Sequence, residues 1–395
     1  MQSSRYAPSP TEAPASRSIF ISDESLPGPQ QSWGDVAGEV KEDVFGDVLQ
    51  HTRLQDVDAG VGERADGLLR VRASTWLPDG LQAAFSCSIF SRMHDGTLHR
   101  LFPTAKIDEP LKRYTAWKIG GPADALLEPS SAEELIEAIQ RAREHTIPVT
   151  ILGGGTNVLV LDGGIRGLTI RLARALTAVD VCGTEVVADA GVLYPVLANT
   201  TAGKGLGGLE FATGIPGTAG GAVYMNAGAY GSETREVLTW ADVYKPEAGV
   251  VERIPNIRLG LSYRRSMLHD RPGWIVLRAG YSLTLGDSEE LKARIKEFRA
   301  QRMNGSPNRP SCGSTFKRPE GDYPGRVIEA AGLKGTRVGQ LEISPVHANY
   351  FVNHGGGTAE DALALIELAR KTVHEKLGID LETEVRVLGE PPAPS

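Results

Sequence analysis

The chain of 395 residues holds only three cysteines, Cys87, Cys182 and Cys312, far apart and with no CxxC pair. That pattern excludes a disulfide framework and a thiolate zinc site, and it fits a reducing compartment. No basic stretch followed by an apolar one opens the sequence, so a secretory signal is not visible. No uncharged apolar run approaches the roughly 20 residues that cross a bilayer. Lys and Arg never gather into a run and the formal net charge is −7, so a nucleic-acid-binding face is not indicated. A Walker A sequence is also missing. The expectation is a soluble cytoplasmic protein with neither a nucleic-acid nor a membrane partner.

What the chain has is glycine, 46 residues of it, clustered instead of spread. Clustered glycine marks loops where backbone approaches a ligand or another chain segment closely. Residues 1–102 stand apart: the first thirty are rich in Ser and Pro, and little periodicity follows. They are expected to be an unstructured N-terminal extension, or to precede a true start at Met93.

From Leu101 the punctuation becomes regular. Ser131 and Glu134 form a capping-box pattern that predicts a helix over 132–144. Pro148 to Leu152 reads as a short buried strand ended by Gly153-Gly154-Gly155. Short strands are expected to about 286, interrupted by a helix near 193–203. Further helices are predicted from Ser288 to Gly305, from Gly325 to Ala331 with Gly332 as its cap, and from Thr358 to Gly378. Leu381 to Leu388 alternates as a strand. This is an α+β pattern without internal repeats.

Two glycine loops carry the strongest local signals. Gly153-Gly154-Gly155-Thr156-Asn157 follows a strand, and successive N–H groups in such a loop can cradle an anion. Strand-type residues follow it and a third glycine is missing, so the dinucleotide fingerprint of the Rossmann fold does not apply. A formal GxGxxG at Gly203, Gly205 and Gly208 follows a helix and is read as chance. The stretch from Gly208 to Gly231 is almost all small residues, including Gly214-Ile215-Pro216-Gly217-Thr218, Gly220-Gly221-Ala222 and Asn226-Ala227-Gly228. Such a stretch cannot build a core by itself; it suits a large planar cofactor walled by backbone.

This second loop closely resembles the flavin-binding segment of the UDP-N-acetylenolpyruvoylglucosamine reductase family (MurB). Tyr114 to Asp124 resembles the family's opening motif, and Gly153–Asn157 its first pyrophosphate loop. Tyr263-Arg264-Arg265-Ser266, Ser311-Cys312-Gly313-Ser314-Thr315-Phe316-Lys317-Arg318-Pro319 and Leu381-Glu382-Thr383-Glu384-Val385-Arg386 resemble its three catalytic segments, in order. The likeness spans roughly residues 103–389 and has the shape of the shorter, type II branch. It departs at Gly339 to His347, and Arg318 stands where other branches carry Asn.

The resemblance implies a PCMH-type FAD-binding half of two α+β subdomains over 103–288 and a smaller α+β substrate domain over 289–395. It implies non-covalent FAD, NADPH as co-substrate, and reduction of UDP-N-acetylglucosamine enolpyruvate to UDP-N-acetylmuramate for peptidoglycan. A monomer is expected. The cofactor carries the redox step, so the protein must position, stabilise charge and supply a proton. Arg264 is implied to hold the substrate carboxylate as it becomes enolate-like; spacing alone would not choose it over Arg265. Ser314 is the expected proton donor, with Cys312 the alternative. Glu384, on the polar face of its strand, is implied to lie beside the reacting carbon as an acid or an orienting group. Lys317 and Arg318 are expected on the UDP diphosphate. Tyr224 and Asn226 are expected to shape the flavin pocket. An oxidase of the same flavin fold is the nearest rival, but many of those tether flavin through His or Cys, and neither glycine loop has one. A flavin- or sugar-nucleotide-binding protein without turnover would be favoured only had Arg264, Ser314 or Glu384 been missing.

Overall fold

The computed structural model describes residues 95–173 and 175–393. The expected extension up to residue 94, with the alternative start at Met93, lies outside the described residues. Its last residues are folded: helix α1 (Asp95–Leu101) buries Leu98, and Phe102 just beyond it is buried in the same core. The two sit four residues apart on one helical face, and the Phe102 N–H donates to the Leu98 carbonyl at 2.8 Å. The folded region therefore reaches back further than the expected boundary at 102.

Helix α2 (Ala132–Glu144) starts where its cap predicts, with Ser131 Oγ accepting the Glu134 N–H at 3.2 Å. The Glu134 carboxylate accepts instead from the N–H and hydroxyl of Ser130, at 2.6 Å each. Leu135 and Ile139 are inaccessible on the inner face, each contributing roughly 2 kcal/mol. Helix α3 (Tyr194–Gly203) also lies as predicted. Helix α4 (Ala219–Met225) was not expected, because its small residues read as a pocket wall. Thr218 caps it, accepting the Gly221 N–H at 3.3 Å. The absence of side chains lets it lie so close to Ala190 that a Cβ on Gly220 would sit 2.8 Å from the Ala190 Cβ. Tertiary packing overrides a weak helix propensity there.

Helices α5 (Ser288–Gly305), α6 (Pro324–Ala330) and α7 (Ala359–Leu377) complete the set among the described residues. Thr358 and Asp361 form a capping box at the start of α7, and Gly378 ends it in a left-handed conformation where the sequence predicts its end.

Among the described residues, three sheets of four or five strands carry these helices, beside three two-stranded pairs. In the first, strands run in the order Lys106–Pro110, Pro122–Leu127, Ile165–Arg171, Val149–Leu152, with the last three parallel. The second is antiparallel, in the order Val250–Pro255, Leu238–Lys245, Ile275–Ser282, Glu185–Asp189, Val179–Cys182. The third, also antiparallel, places Ser311–Ser314 beside Tyr350–Asn353, then Leu341–Ile343 and Arg337–Val338. One hydrophobic core joins α1, α2, α3 and both earlier sheets; a second joins the third sheet, α6 and α7.

Two features depart from the expected division at 288/289. Leu291 and Ile295 of α5 belong to the first core, so this helix goes with the part that precedes it. Trp117, Ile119 and Leu159 belong to the second core, so the opening motif is a brace under the C-terminal part. The predicted strand 381–388 is regular only over Arg386–Leu388. Its first half bonds to residues 315–317, through Thr315 O with Glu384 N–H and Glu382 O with Lys317 N–H, both at 2.8 Å. Its second half pairs in parallel with Val158–Val160. The change of partner at Glu384 is what interrupts the ladder.

Candidate active site

The two glycine loops meet backbone to backbone. Thr156 Oγ1 donates to the Pro216 carbonyl at 2.9 Å, and a Cβ on Gly154 would lie 3.0 Å from the Gly217 Cα. Beneath them opens a cleft of about 550 Å³, lined by both loops, by Arg264, by Cys312 to Ser314 and by Glu384. Its volume falls in the range of cofactor sites, roughly 300–1,000 Å³. Four arginines, Arg264, Arg271, Arg302 and Arg386, line it against a single carboxylate, Glu384. That excess of positive charge suits ligands carrying diphosphates and a carboxylate.

Arg264 stands at the second position of a two-residue reversal, closed by the Ser262 and Arg265 N–H groups bonding each other's carbonyls at 3.0 and 3.1 Å. Its φ of +55° is a left-handed conformation costing an arginine about 1–2 kcal/mol. Strain of this kind persists where neighbouring structure enforces it and often marks a working residue. Arg264 Nε donates to Glu384 Oε1 at 2.7 Å and an outer nitrogen donates to the Gly228 carbonyl at 3.2 Å. Both side chains of the pair are largely buried, 19% and 12% exposed. Burial pushes the Glu384 carboxyl above its ordinary range, with the Arg264 charge pulling the other way.

Glu384 is tied to the first loop as well: Asn157 Nδ2 donates to its carbonyl at 3.1 Å. Ser314 is half-buried on the cleft wall. The register of its strand shifts between Ser311 and Ser314, and Cys312 is 4% exposed within the second core. Burial pushes the Cys312 thiol up to about 12.

Comparisons with known proteins identify the family. The family model described as UDP-N-acetylenolpyruvoylglucosamine reductase, C-terminal domain, matches residues 306–388, and the model described as FAD binding domain matches 123–254. A UDP-N-acetylenolpyruvoylglucosamine reductase of Rubrobacter xylanophilus is 72% identical over 299 residues, 76% of this chain and 100% of that protein. The chain belongs to the UDP-N-acetylenolpyruvoylglucosamine reductase family. A relative of the same name from Caldanaerobacter subterraneus is 45% identical over 285 residues, 72% of this chain and 93% of its own length. The crystal structure of the reductase from Thermus caldophilus aligns with a TM-score of 0.63 at 39% identity, covering 72% of this chain and all of that one. FAD is thus the cofactor of this reductase-family chain, and the fold is of the PCMH type.

Most residues expected at the site come together in the cleft wall: Gly153, Gly154, Gly155, Thr156, Asn157, Ile215, Pro216, Gly217, Thr218, Gly220, Gly221, Ala222, Ala227, Gly228, Arg264, Ser314 and Glu384. Four do not line it. Gly214 is packed beneath Tyr230, whose ring would meet an added Cβ at 2.5 Å. Asn226 is fully buried, and its amide is taken up by protein partners. Lys317 is ion-paired with Glu382, and the Arg318 guanidinium lies 4.7 Å over the Tyr323 ring. These last two stand beside the cleft instead, with the Arg318 N–H donating to the Tyr263 hydroxyl at 3.3 Å.

Sequence reasoning missed other lining residues. His269 stacks on Tyr224 with ring centres 4.2 Å apart, and burial holds its imidazole down at about 4, so it is neutral at physiological pH. Arg271, Trp274, Arg302 and Tyr350 also face the cleft. Nothing in their local sequence marks them: His269, Arg271 and Trp274 lie in the segment before the strand Ile275–Ser282, Arg302 is on α5, and Tyr350 opens the strand Tyr350–Asn353. Helix α5 braces the second loop: Arg299 Nε donates to Thr213 Oγ1 at 3.0 Å, and Phe298 stacks on Tyr230 at 4.4 Å.

Proposed function

We infer that this chain reduces UDP-N-acetylglucosamine enolpyruvate to UDP-N-acetylmuramate with NADPH, using Arg264, Ser314 and Glu384 as its working side chains. When bound, FAD supplies the two-electron relay between NADPH and the enolpyruvyl double bond. The two glycine loops would hold its diphosphate with backbone N–H groups. The observation that carries the residue roles is the convergence of Arg264, Ser314 and Glu384 on one cleft from three distant segments.

Arg264 offers a planar, permanently charged fork to the substrate carboxylate, and it stabilises negative charge that builds there as the double bond is reduced. To do so it must share its donors with Glu384, its partner in the free protein. Glu384 is desolvated, so it holds a proton to higher pH than an exposed carboxyl. It can therefore serve as an acid or hold the substrate by hydrogen bond. Ser314 lines the cleft half-buried, and its hydroxyl can pass a proton to the carbanion-like carbon; Cys312 lines it too but is 4% exposed and packed into the second core, which makes it the poorer placed donor. Lys317 and Arg318, beside Arg264, would neutralise the UDP diphosphate. In this reading the part up to α5 carries FAD, the part beyond it carries the UDP-sugar, and the protein is a cytoplasmic monomer. No described helix is long and apolar enough to cross a membrane.

An anaerobic spectrum tests the reading. NADPH should bleach the flavin band and the enolpyruvyl substrate should restore it. Ser314→Ala should slow the restoration by roughly 10²–10⁴-fold while leaving the bleaching intact, and Cys312→Ala should leave both. Equal loss of both steps in Ser314→Ala would make Ser314 a structural residue.

A further inference from the structure

Asn226 lies in the second glycine loop but takes no part in the cleft wall. It ends α4 in a left-handed conformation, φ +42°, and none of its surface is exposed. Its amide is fully used. Nδ2 donates to the Ser262 carbonyl and to Glu233 Oε2, each at 3.0 Å. Oδ1 accepts the Arg235 N–H at 3.0 Å, and Arg235 Nε in turn pairs with the same Glu233 oxygen at 2.9 Å.

The Ser262 carbonyl matters because it is one of the two that close the reversal presenting Arg264. The Asn226 amide is thus hydrogen-bonded to the base of the turn that forces Arg264 into its strained backbone conformation. Two residues further along, the Gly228 carbonyl receives the Arg264 guanidinium. The loop beginning at Asn226 therefore grips Arg264 at both ends, by its turn and by its head group. Glu233 and Arg235 lock the amide so that Nδ2, not Oδ1, faces Ser262: an oxygen there would oppose a carbonyl and leave Glu233 without its donor.

We propose that Asn226 is a positioning residue for the reaction, acting through Arg264: its amide fixes the Ser262–Arg265 turn so that the guanidinium meets the substrate carboxylate. The proposal rests on the role assigned to Arg264 above. A displacement of about 1 Å in such a group can cost of the order of 10²-fold in rate.

Asn226→Asp keeps size, shape and tolerance of a positive φ, but it removes the donor to Ser262 and sets a carboxylate against Glu233. Asn226→Gly suits the backbone and removes every side-chain bond without adding charge. The experiment compares both variants, in the full chain with FAD, alone and combined with Arg264→Met. Either Asn226 variant should slow substrate-driven restoration of the flavin band by roughly 10–10²-fold and raise the substrate's KM. NADPH-driven bleaching, flavin content and the flavin spectrum should stay at wild-type values. In the Arg264→Met background the same variants should add almost nothing, because the group they position is gone. Losses that multiply across the two sites would overturn the proposal, as would equal slowing of both half-reactions. Loss of flavin or of cooperative unfolding in both variants would assign Asn226 to folding and overturn it too. If Arg264→Met alone leaves the restoration step unchanged, the role of Arg264 itself fails, which is a separate and distinguishable result.

Discussion

Gly155→Ala is the perturbation whose cost can be worked out most directly from the structure. Gly155 closes the first loop at φ +65° and is buried. An added Cβ would stand 2.0 Å from the Tyr114 carbonyl oxygen and 3.2 Å from the Thr115 Cα, so backbone and not a flexible side chain must yield. A left-handed alanine costs about 1–2 kcal/mol. Overpacking against a fixed neighbour costs about 1–3 kcal/mol. The bond from the Ala116 N–H to the Gly155 carbonyl, at 2.8 Å, would also be strained, at about 1 kcal/mol if lost. The expected total is about 3–6 kcal/mol, a large part of an ordinary domain's stability. Gly231→Ala is the matched control, since Gly231 has φ +86° but nothing within 4 Å of the added carbon. It should show the conformational cost alone. Denaturant unfolding of both variants, with FAD retention after gel filtration, separates the two contributions. Gly155→Ala should be less stable than the control by about 2–4 kcal/mol and lose FAD more readily. Equal stabilities would refute the argument that the opening motif and the first loop are packed to backbone contact.

Two further outcomes follow from the site and its frame. Burial raises the Glu384 carboxyl above its ordinary 4.5, so the folded state holds that proton more tightly than the unfolded one. Its contribution to stability is then fully present below 4.5 and is lost as pH rises through the folded value. Glu384→Gln cannot ionise, so its melting temperature relative to wild type should increase with rising pH over that window; a relative decrease would contradict the sign. Asp162, from the loop after Val158–Val160, accepts the Ala359 N–H at 3.0 and 2.9 Å and the Glu360 N–H at 3.2 Å, capping α7 from nearly two hundred residues away. Asp162→Ala should cost about 1–2 kcal/mol in unfolding while the flavin spectrum stays unchanged.

Elements with local causes are written into short stretches of the chain. Caps at Ser131 and Thr358, the left-handed Gly378 and the small-residue loops all act within a few residues, so helices α2, α3, α5, α6 and α7 and the family resemblance were legible from the chain alone. The family resemblance, and not spacing, pointed to Arg264, Ser314 and Glu384 as chemically apt groups. What these groups meet is set by long-range packing. Glu384 sits on a face whose alternation suggests solvent, yet a change of strand partner and the Arg264 guanidinium bury it. Helix α4 exists because close approach to Ala190 stabilises a weak helix-forming stretch. Asn226 carries a pocket motif's sequence but turns its amide away from the pocket, toward Ser262. Helix α5 joins the first core through Leu291 and Ile295, which no local pattern could assign to one body over the other. In each case the deciding contact spans dozens of residues or more, and periodicity, capping and composition carry information only over a few turns of chain.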